Sequence, residues 1–140
     1  MVAHKNTHSQ RAAGFYMALF AALLCLASAI LYSVSFRGVS YSHGPLFSDL
    51  VFIGLIAAAV LSTIMLFVRL ENIAPVVLCI ASGVSILVYI HRMVWPIADI
   101  FTAIDPVSFV TELAICGALL LLSFIAAEAA LYMKKRKATV

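Results

Sequence analysis

The sequence predicts an all-α integral membrane protein in which four antiparallel helices form a bundle. The first observation is composition: 65% of the 140 residues are hydrophobic and 11% are charged, whereas a soluble domain carries about 25% charged residues. The second is that the apolar residues fall into four long stretches, so we expect a single transmembrane domain over residues 1–140. This composition excludes a disordered chain. The net charge of +3 is modest and does not indicate a nucleic-acid partner.

The four spans follow from the thickness of a bilayer. A hydrocarbon core about 30 Å thick needs roughly 20 apolar residues in a helix. Stretches of that kind predict helices at about 12–35, 49–69, 73–92 and 106–133. Ala27-Ser28-Ala29 has the small-residue pattern of a signal-peptide cleavage site, but the apolar run continues beyond it. We therefore expect the first helix to be retained as a span.

Proline residues mark the starts of the third and fourth helices. The connection before the third helix is short, which makes the second and third helices antiparallel neighbours. Asn72 is expected to cap the third helix, and Pro75 suits its first turn, where no N–H donor is needed. Asp105 is the expected cap of the fourth helix, with Pro106 at its first helical position.

A short amphipathic helix is predicted at about 96–104, between the third and fourth spans. Ile97, Ile100, Phe101 and Ile104 follow the i, i+3, i+4, i+7 spacing of one helix face. With Trp95 at headgroup depth, this segment is expected to lie in the membrane interface. The alternative is a segment folded back against the mouth of the bundle.

The basic residues predict the orientation of the chain. With four spans, both termini and the second loop share one side, and that side carries seven of the nine Lys and Arg residues. The other side carries Arg37 and Arg92. Because short cytoplasmic loops are enriched in Lys and Arg, we expect both termini in the cytoplasm and the protein in the cell membrane.

Small and polar residues form seams on two helices. On the first helix they recur with a period of 3.5 residues, at Gly14, Ala18, Ala21, Cys25, Ser28 and Tyr32. The fourth helix has a similar seam at Glu112, Cys116, Leu119, Ser123, Ala126 and Ala130. Helices associate in lipid through close packing of small residues, so these seams favour a closed bundle or an assembly with other chains.

Two carboxylates fall inside the fourth span, where ionisable groups are costly and are candidates for function. Glu112 could pair with Arg92, and Glu128 with Arg69 or a lysine of the tail. Alternatively, the two carboxylates could line a transport pathway. The other polar residues along this pathway would be Tyr89, Ser85 and Ser123.

The sequence offers little for catalysis or cofactor binding. His43 and His91 lie on the same predicted side and are weak candidates for a metal or haem ligand pair, without a ligand spacing to support them. Cys25, Cys79 and Cys116 all fall within spans and are expected to pack as small apolar residues. We therefore expect no enzymatic activity, no cofactor and no bound metal.

These features favour a non-enzymatic subunit or accessory factor of a membrane complex. Its partners would be the lipid bilayer and another membrane protein, or further copies of the chain. The expected interaction residues are the first-helix seam (Gly14, Ala18, Ala21, Cys25 and Ser28) and three residues near the predicted interfacial helix (Trp95, Asp99 and Phe101). A small oligomeric transporter or channel and a haem- or metal-binding membrane anchor are the alternative hypotheses.

Overall fold

Four long α-helices dominate the computed structural model, which describes residues 12–103 and 107–135. Within those residues the elements are, in order, α1 (Ala13–Phe36), β1 (Ser40–Tyr41), β2 (Gly44–Pro45), α2 (Asp49–Phe67), α3 (Ala74–Thr102) and α4 (Val110–Tyr132). Each helix is long and apolar enough to cross a membrane. The predicted class, an all-α multi-pass membrane protein with four apolar helices, is confirmed to that extent.

The helices form a ring in which each packs against the next and α4 returns to α1. The start of α1 meets the segment that follows α4, because the Gly14 N–H donates to the Lys134 carbonyl oxygen at 3.0 Å. The loop between α2 and α3 lies at the same end, where the rings of Phe15 and Phe67 make an edge contact. We call this the terminal end of the bundle, and the opposite end, which carries β1 and β2, the hairpin end.

The small-residue seam of α1 faces the interior of this bundle. Its six members are buried: Gly14, Ala18, Ala21, Cys25, Ser28 and Tyr32. Together with small residues of α4, among them Cys116 and Ala127, several of them form the core. The seam therefore brings helices of one chain together by close packing, as small residues do in lipid.

At the terminal end, main-chain hydrogen bonds join the start of α1 to the segment that follows α4. The Ala12 and Gly14 N–H groups, at the start of α1, donate to the carbonyl oxygens of Lys135 and Lys134. A helix start has no intrahelical acceptors for these groups, so the chain's own C-terminal segment satisfies them. The Lys135 side chain is buried, which lowers the pKa of its ammonium group, and it donates to the Leu131 carbonyl oxygen at 3.0 Å.

The turn between α2 and α3 differs from expectation at one residue. Pro75 lies in the first turn of α3 as predicted, but the N-cap is Ile73, with no side-chain hydrogen bond, and Asn72 is an exposed turn residue. The turn closes instead at the end of α2. There Arg69 has a positive φ and the Leu70 N–H donates to the Met65 carbonyl oxygen, which is the Schellman arrangement of a helix C-terminus.

The largest correction concerns α3, which does not stop at residue 92. It runs unbroken through Pro96 to Thr102, so residues 96–102, which were predicted to form a separate interfacial helix, continue the third helix. Ile104, the last residue of that predicted helix, lies outside the described residues. At 1.5 Å per residue α3 is about 43 Å long, roughly 13 Å more than a bilayer core. Because a six-residue turn aligns α2 and α3 at the terminal end, the excess lies at the hairpin end. We call residues 94–102 the α3 extension.

Packing explains why Pro96 does not end the helix. Proline removes one helical hydrogen bond and crowds the preceding turn. However, Tyr89, Met93 and Pro96 are all buried at spacings of four and three, so one continuous buried face runs through the proline.

The start of α4 also differs from the prediction. The helix begins at Val110, with Phe109 as its N-cap, four residues later than expected. The predicted capping residues, Asp105 and Pro106, lie outside the described residues.

Candidate functional site

The connection between α1 and α2 is a fixed β-hairpin, which Tyr32 anchors to the bundle. The buried Tyr32 hydroxyl donates to the Leu46 carbonyl oxygen at 2.9 Å and accepts from the Ser48 N–H at 2.8 Å. Its ring stacks on Phe47 with centroids 5.3 Å apart. Gly44 has a φ of +127°, which only glycine adopts readily, and this permits the tight turn between β1 and β2.

Among the described residues, contacts of three kinds tie the hairpin to α3. The Tyr41 hydroxyl donates to Asp99 Oδ2 at 2.5 Å, and Arg92 Nη1 donates to the Pro45 carbonyl oxygen at 3.3 Å. The His43 ring stacks on Trp95 with centroids 4.1 Å apart and planes 28° apart. These contacts span seven residues of α3, about 10 Å along the helix, so the hairpin supports the start of the α3 extension.

A cleft of about 120 Å³ opens between the hairpin and α3. We call it the hairpin cleft. Its polar walls are Tyr41, His43 and the Pro45 main chain on the hairpin side and His91, Arg92 and Trp95 on the α3 side. The structure therefore brings together His43 and His91, which the sequence offered only as a weak pair of ligands from two separate segments.

The chemistry of the cleft differs from that of a typical metal centre. Among the residues that the structure describes, no group of three or more His, Cys, Asp or Glu side chains could hold a metal ion. In addition, the Arg92 guanidinium lines the same cleft as the two imidazoles. A permanent positive charge at that position opposes the binding of a divalent cation.

The structure separates the transport candidates. The polar residues of the proposed pathway are buried inside the bundle: Tyr89, Ser85 and Ser123. The Tyr89 hydroxyl donates to the Leu113 carbonyl oxygen at 2.6 Å, and the Ser123 hydroxyl donates to the Leu120 carbonyl oxygen at 2.8 Å. Glu112 and Glu128 are exposed on the outside of α4. Sixteen residues apart, they project about 160° from each other around the helix axis. The carboxylates and the hydroxyls therefore do not line one pathway through the described bundle.

The suggested partner of Glu112 is also engaged elsewhere. Arg92 donates to the hairpin carbonyl of Pro45, and the described part of the chain shows no ion pair between Arg92 and Glu112. The described hydrogen bond of the Arg92 side chain therefore goes to the main chain of the hairpin and not to the Glu112 carboxylate of α4.

The interaction candidates fall into two groups. The α1 seam is covered by helices of the same chain, which leaves no room for another protein on that face. Trp95 and Phe101 are 51% and 85% exposed on the α3 extension, whereas Asp99 is half-buried and bonded to Tyr41.

Sequence reasoning did not identify the roles of Tyr32, Tyr41 and Arg92 in building this site. A signal for the hairpin was present, since Gly44 and Pro45 follow Ser42 and His43 in a segment of turn-forming residues. Nothing in the spacing of residues indicated that this turn would meet α3.

Comparisons with protein family models, with curated proteins and with solved structures find no match for this chain.

Proposed function

We propose that this multi-pass membrane protein is a non-enzymatic subunit or accessory factor of a membrane complex, and that it binds its partner through the α3 extension. The observation that carries the proposal is the exposed aromatic surface of that extension, where Phe101 is 85% and Trp95 is 51% exposed. Aromatic side chains just beyond the lipid core are favourably placed against the headgroup layer or against another protein.

The base of the extension is held in place by side-chain contacts, which favours a protein partner. Tyr41, Arg92 and the stacked His43 hold its base against the hairpin. A surface that is already ordered loses little conformational entropy when it binds, so more of the contact energy remains as affinity. Aromatic residues are also enriched at the centres of protein interfaces.

Two features of the bundle agree with a role at its surface. Inside the bundle, the Ser28 and Ser82 hydroxyls donate to main-chain carbonyl oxygens of their own helices. On the outside, Glu128 is an exposed carboxylate in a span. Such a group is costly against lipid and is stabilised by a basic residue of a neighbouring protein. The transport alternative receives less support, because Glu112 and Glu128 project in different directions.

Site-specific photocrosslinking in the native membrane tests this proposal. A photoreactive phenylalanine analogue at position 101 is expected to give a defined adduct with one other membrane protein. The matched control is position 87 on the same helix. Leu87 is 70% exposed and projects within about 40° of Phe101, about 21 Å deeper in the membrane, so there we expect lipid adducts.

A second measurement connects the adduct to assembly. The protein crosslinked at position 101 should co-purify with the unmodified chain, and Phe101→Glu should reduce its recovery about tenfold or more, while Leu87→Ser leaves recovery unchanged. The proposal fails if position 101 yields only lipid adducts, or if the only protein captured is a second copy of the same chain.

A further inference from the structure

We propose that the hairpin cleft binds a phosphate group, carried by a lipid headgroup or present as free phosphate. Its polar walls combine the Arg92 guanidinium with the two imidazoles, and none of the described residues that line it is acidic. This site shares Trp95 with the surface proposed for a partner protein, but the phosphate proposal does not depend on that partner.

Arg92 is the main anion-binding group. Its hydrogen bond to the Pro45 carbonyl oxygen engages Nη1 and directs the guanidinium towards the hairpin. A guanidinium has five N–H donors in a fixed plane, and no further hydrogen bond of Arg92 is found in the described ranges. The remaining donors suit the paired oxygens of a phosphate, which arginine binds in a bidentate manner.

Trp95 brings the two imidazoles to the same patch. His91 precedes Trp95 by four residues, so the two side chains are neighbours on one face of α3. His43 reaches Trp95 from the hairpin and stacks on its ring. Imidazole N–H groups donate to phosphate oxygens, and a protonated imidazole adds a positive charge.

No carboxylate is among the described residues that line the cleft, and Asp99, which contacts the lining residue Tyr41, is engaged in that hydrogen bond. Asp99 accepts from the Tyr41 hydroxyl and lies seven residues beyond Arg92, about 10 Å further along the helix. Its hydrogen bond therefore positions the hairpin through Tyr41.

The position of the cleft along α3 explains how it would meet phosphate. Residues 91–96 lie about 26–33 Å from the start of the helix, which is the level at which a bilayer core about 30 Å thick ends. Phospholipid phosphates are concentrated there, so a lipid headgroup is the nearest source. A phosphorylated or inorganic solute offers the same group from the aqueous side.

The chain provides its own probe for this site, because its single tryptophan, Trp95, lines the cleft. The purified full chain in neutral detergent is titrated at constant ionic strength with inorganic phosphate, with a short-chain phosphatidylglycerol, and with the diacylglycerol of the same chain length. We expect a saturable change of tryptophan fluorescence with a phosphate-bearing probe and none with the diacylglycerol. A response to inorganic phosphate identifies free phosphate as sufficient, and a response to phosphatidylglycerol alone identifies the headgroup.

Variants locate the binding site. Arg92→Gln should weaken the response about tenfold or more, since a hydrogen-bonded charge is lost. Arg92 also contacts the hairpin, so His91→Gln serves as a second variant, and it should weaken binding several-fold. The matched control is Arg37→Gln, which removes an exposed arginine from the same end of the bundle but outside the cleft.

Four results would overturn the proposal. The first two are the lack of a saturable response to either phosphate probe and an equal response to diacylglycerol. The third is an unchanged affinity for phosphate in both Arg92→Gln and His91→Gln. The fourth is a saturable response to zinc that phosphate does not reduce. The last result would assign the two imidazoles to a metal ion.

Discussion

Gly14 lies where the start of α1 meets the C-terminal segment, and it permits their close contact. A Cβ atom at this position would be 2.7 Å from the carbonyl oxygens of both Met133 and Lys134. These are main-chain atoms, which cannot move aside as the tip of a side chain can. Gly14→Ala is therefore expected to lower the free energy of unfolding by about 1–3 kcal/mol, measured by denaturant titration of the purified protein in detergent.

Gly54 provides the matched control for this substitution. It also lies within a helix, but nothing is within 4 Å of a Cβ atom built on it. Alanine is favoured over glycine inside a helix by about 0.5–1 kcal/mol, so Gly54→Ala should be neutral or slightly stabilising. Equal effects of the two substitutions would show that the contact between the start of α1 and the segment after α4 contributes nothing to stability.

Tyr32 stabilises the fold through its hydroxyl group as well as through its ring. Tyr32→Phe keeps the ring but leaves the buried Leu46 carbonyl and the Ser48 N–H without this partner. An unsatisfied buried polar group costs about 1–3 kcal/mol. We expect a loss of that size in the free energy of unfolding, measured by denaturant titration. Tyr16→Phe, at a tyrosine that is 60% exposed, should change it by less than about 0.5 kcal/mol.

At the scale of elements, the contact between Tyr41 and Asp99 couples the hairpin to α3. Asp99→Asn exchanges a charged acceptor for a neutral one and weakens this hydrogen bond. Hydrogen exchange should then accelerate at the hairpin, including the Leu46 N–H that donates to the Val39 carbonyl oxygen. The amides of α1 should keep their protection.

Thr102→Ala is the control for that experiment. The Thr102 hydroxyl donates to the Ala98 carbonyl oxygen of its own helix, so its removal changes the α3 extension without touching the hairpin. Unchanged hairpin exchange in Asp99→Asn, or equal acceleration in both variants, would contradict the coupling.

The helices and the site differ in how far the sequence predicts them. The spans follow from length and hydropathy, and the α1 seam from a local period of 3.5 residues, so both could be derived from neighbours along the chain. The end of α3 was predicted wrongly at residue 92, because the burial of Met93 and Pro96 against the rest of the chain lets the helix continue through a proline to Thr102. Tertiary contacts of this kind routinely override propensity.

The hairpin cleft depends on contacts that local patterns do not contain. His43 and His91 are 48 residues apart, and they share a cleft because Tyr32 fixes the hairpin and Tyr41 joins it to α3. Each of these contacts joins segments far apart in sequence. Periodicity places a residue on a face of its own helix, but it does not specify which loop will cover that face.

At the scale of the whole molecule, the two ends of the bundle differ in charge. Arg69, Lys134 and Lys135 lie at the terminal end, whereas Arg37 and Arg92 lie at the hairpin end. Four more Lys and Arg residues of the sequence, outside the described ranges, adjoin the terminal end along the chain. This asymmetry is the basis for predicting that the terminal end faces the cytoplasm.

Cysteine labelling in intact cells tests this orientation. Ser42 lies in the turn of the hairpin and Asn72 in the turn at the terminal end, and both are exposed. A maleimide that cannot cross membranes should label Ser42→Cys in intact cells and Asn72→Cys only after permeabilisation. The unsubstituted chain is the control, because its cysteines lie within the spans and two of the three are buried. Labelling of Asn72→Cys but not Ser42→Cys in intact cells would show the opposite orientation. The hairpin cleft and the α3 extension would then lie on the cytoplasmic side.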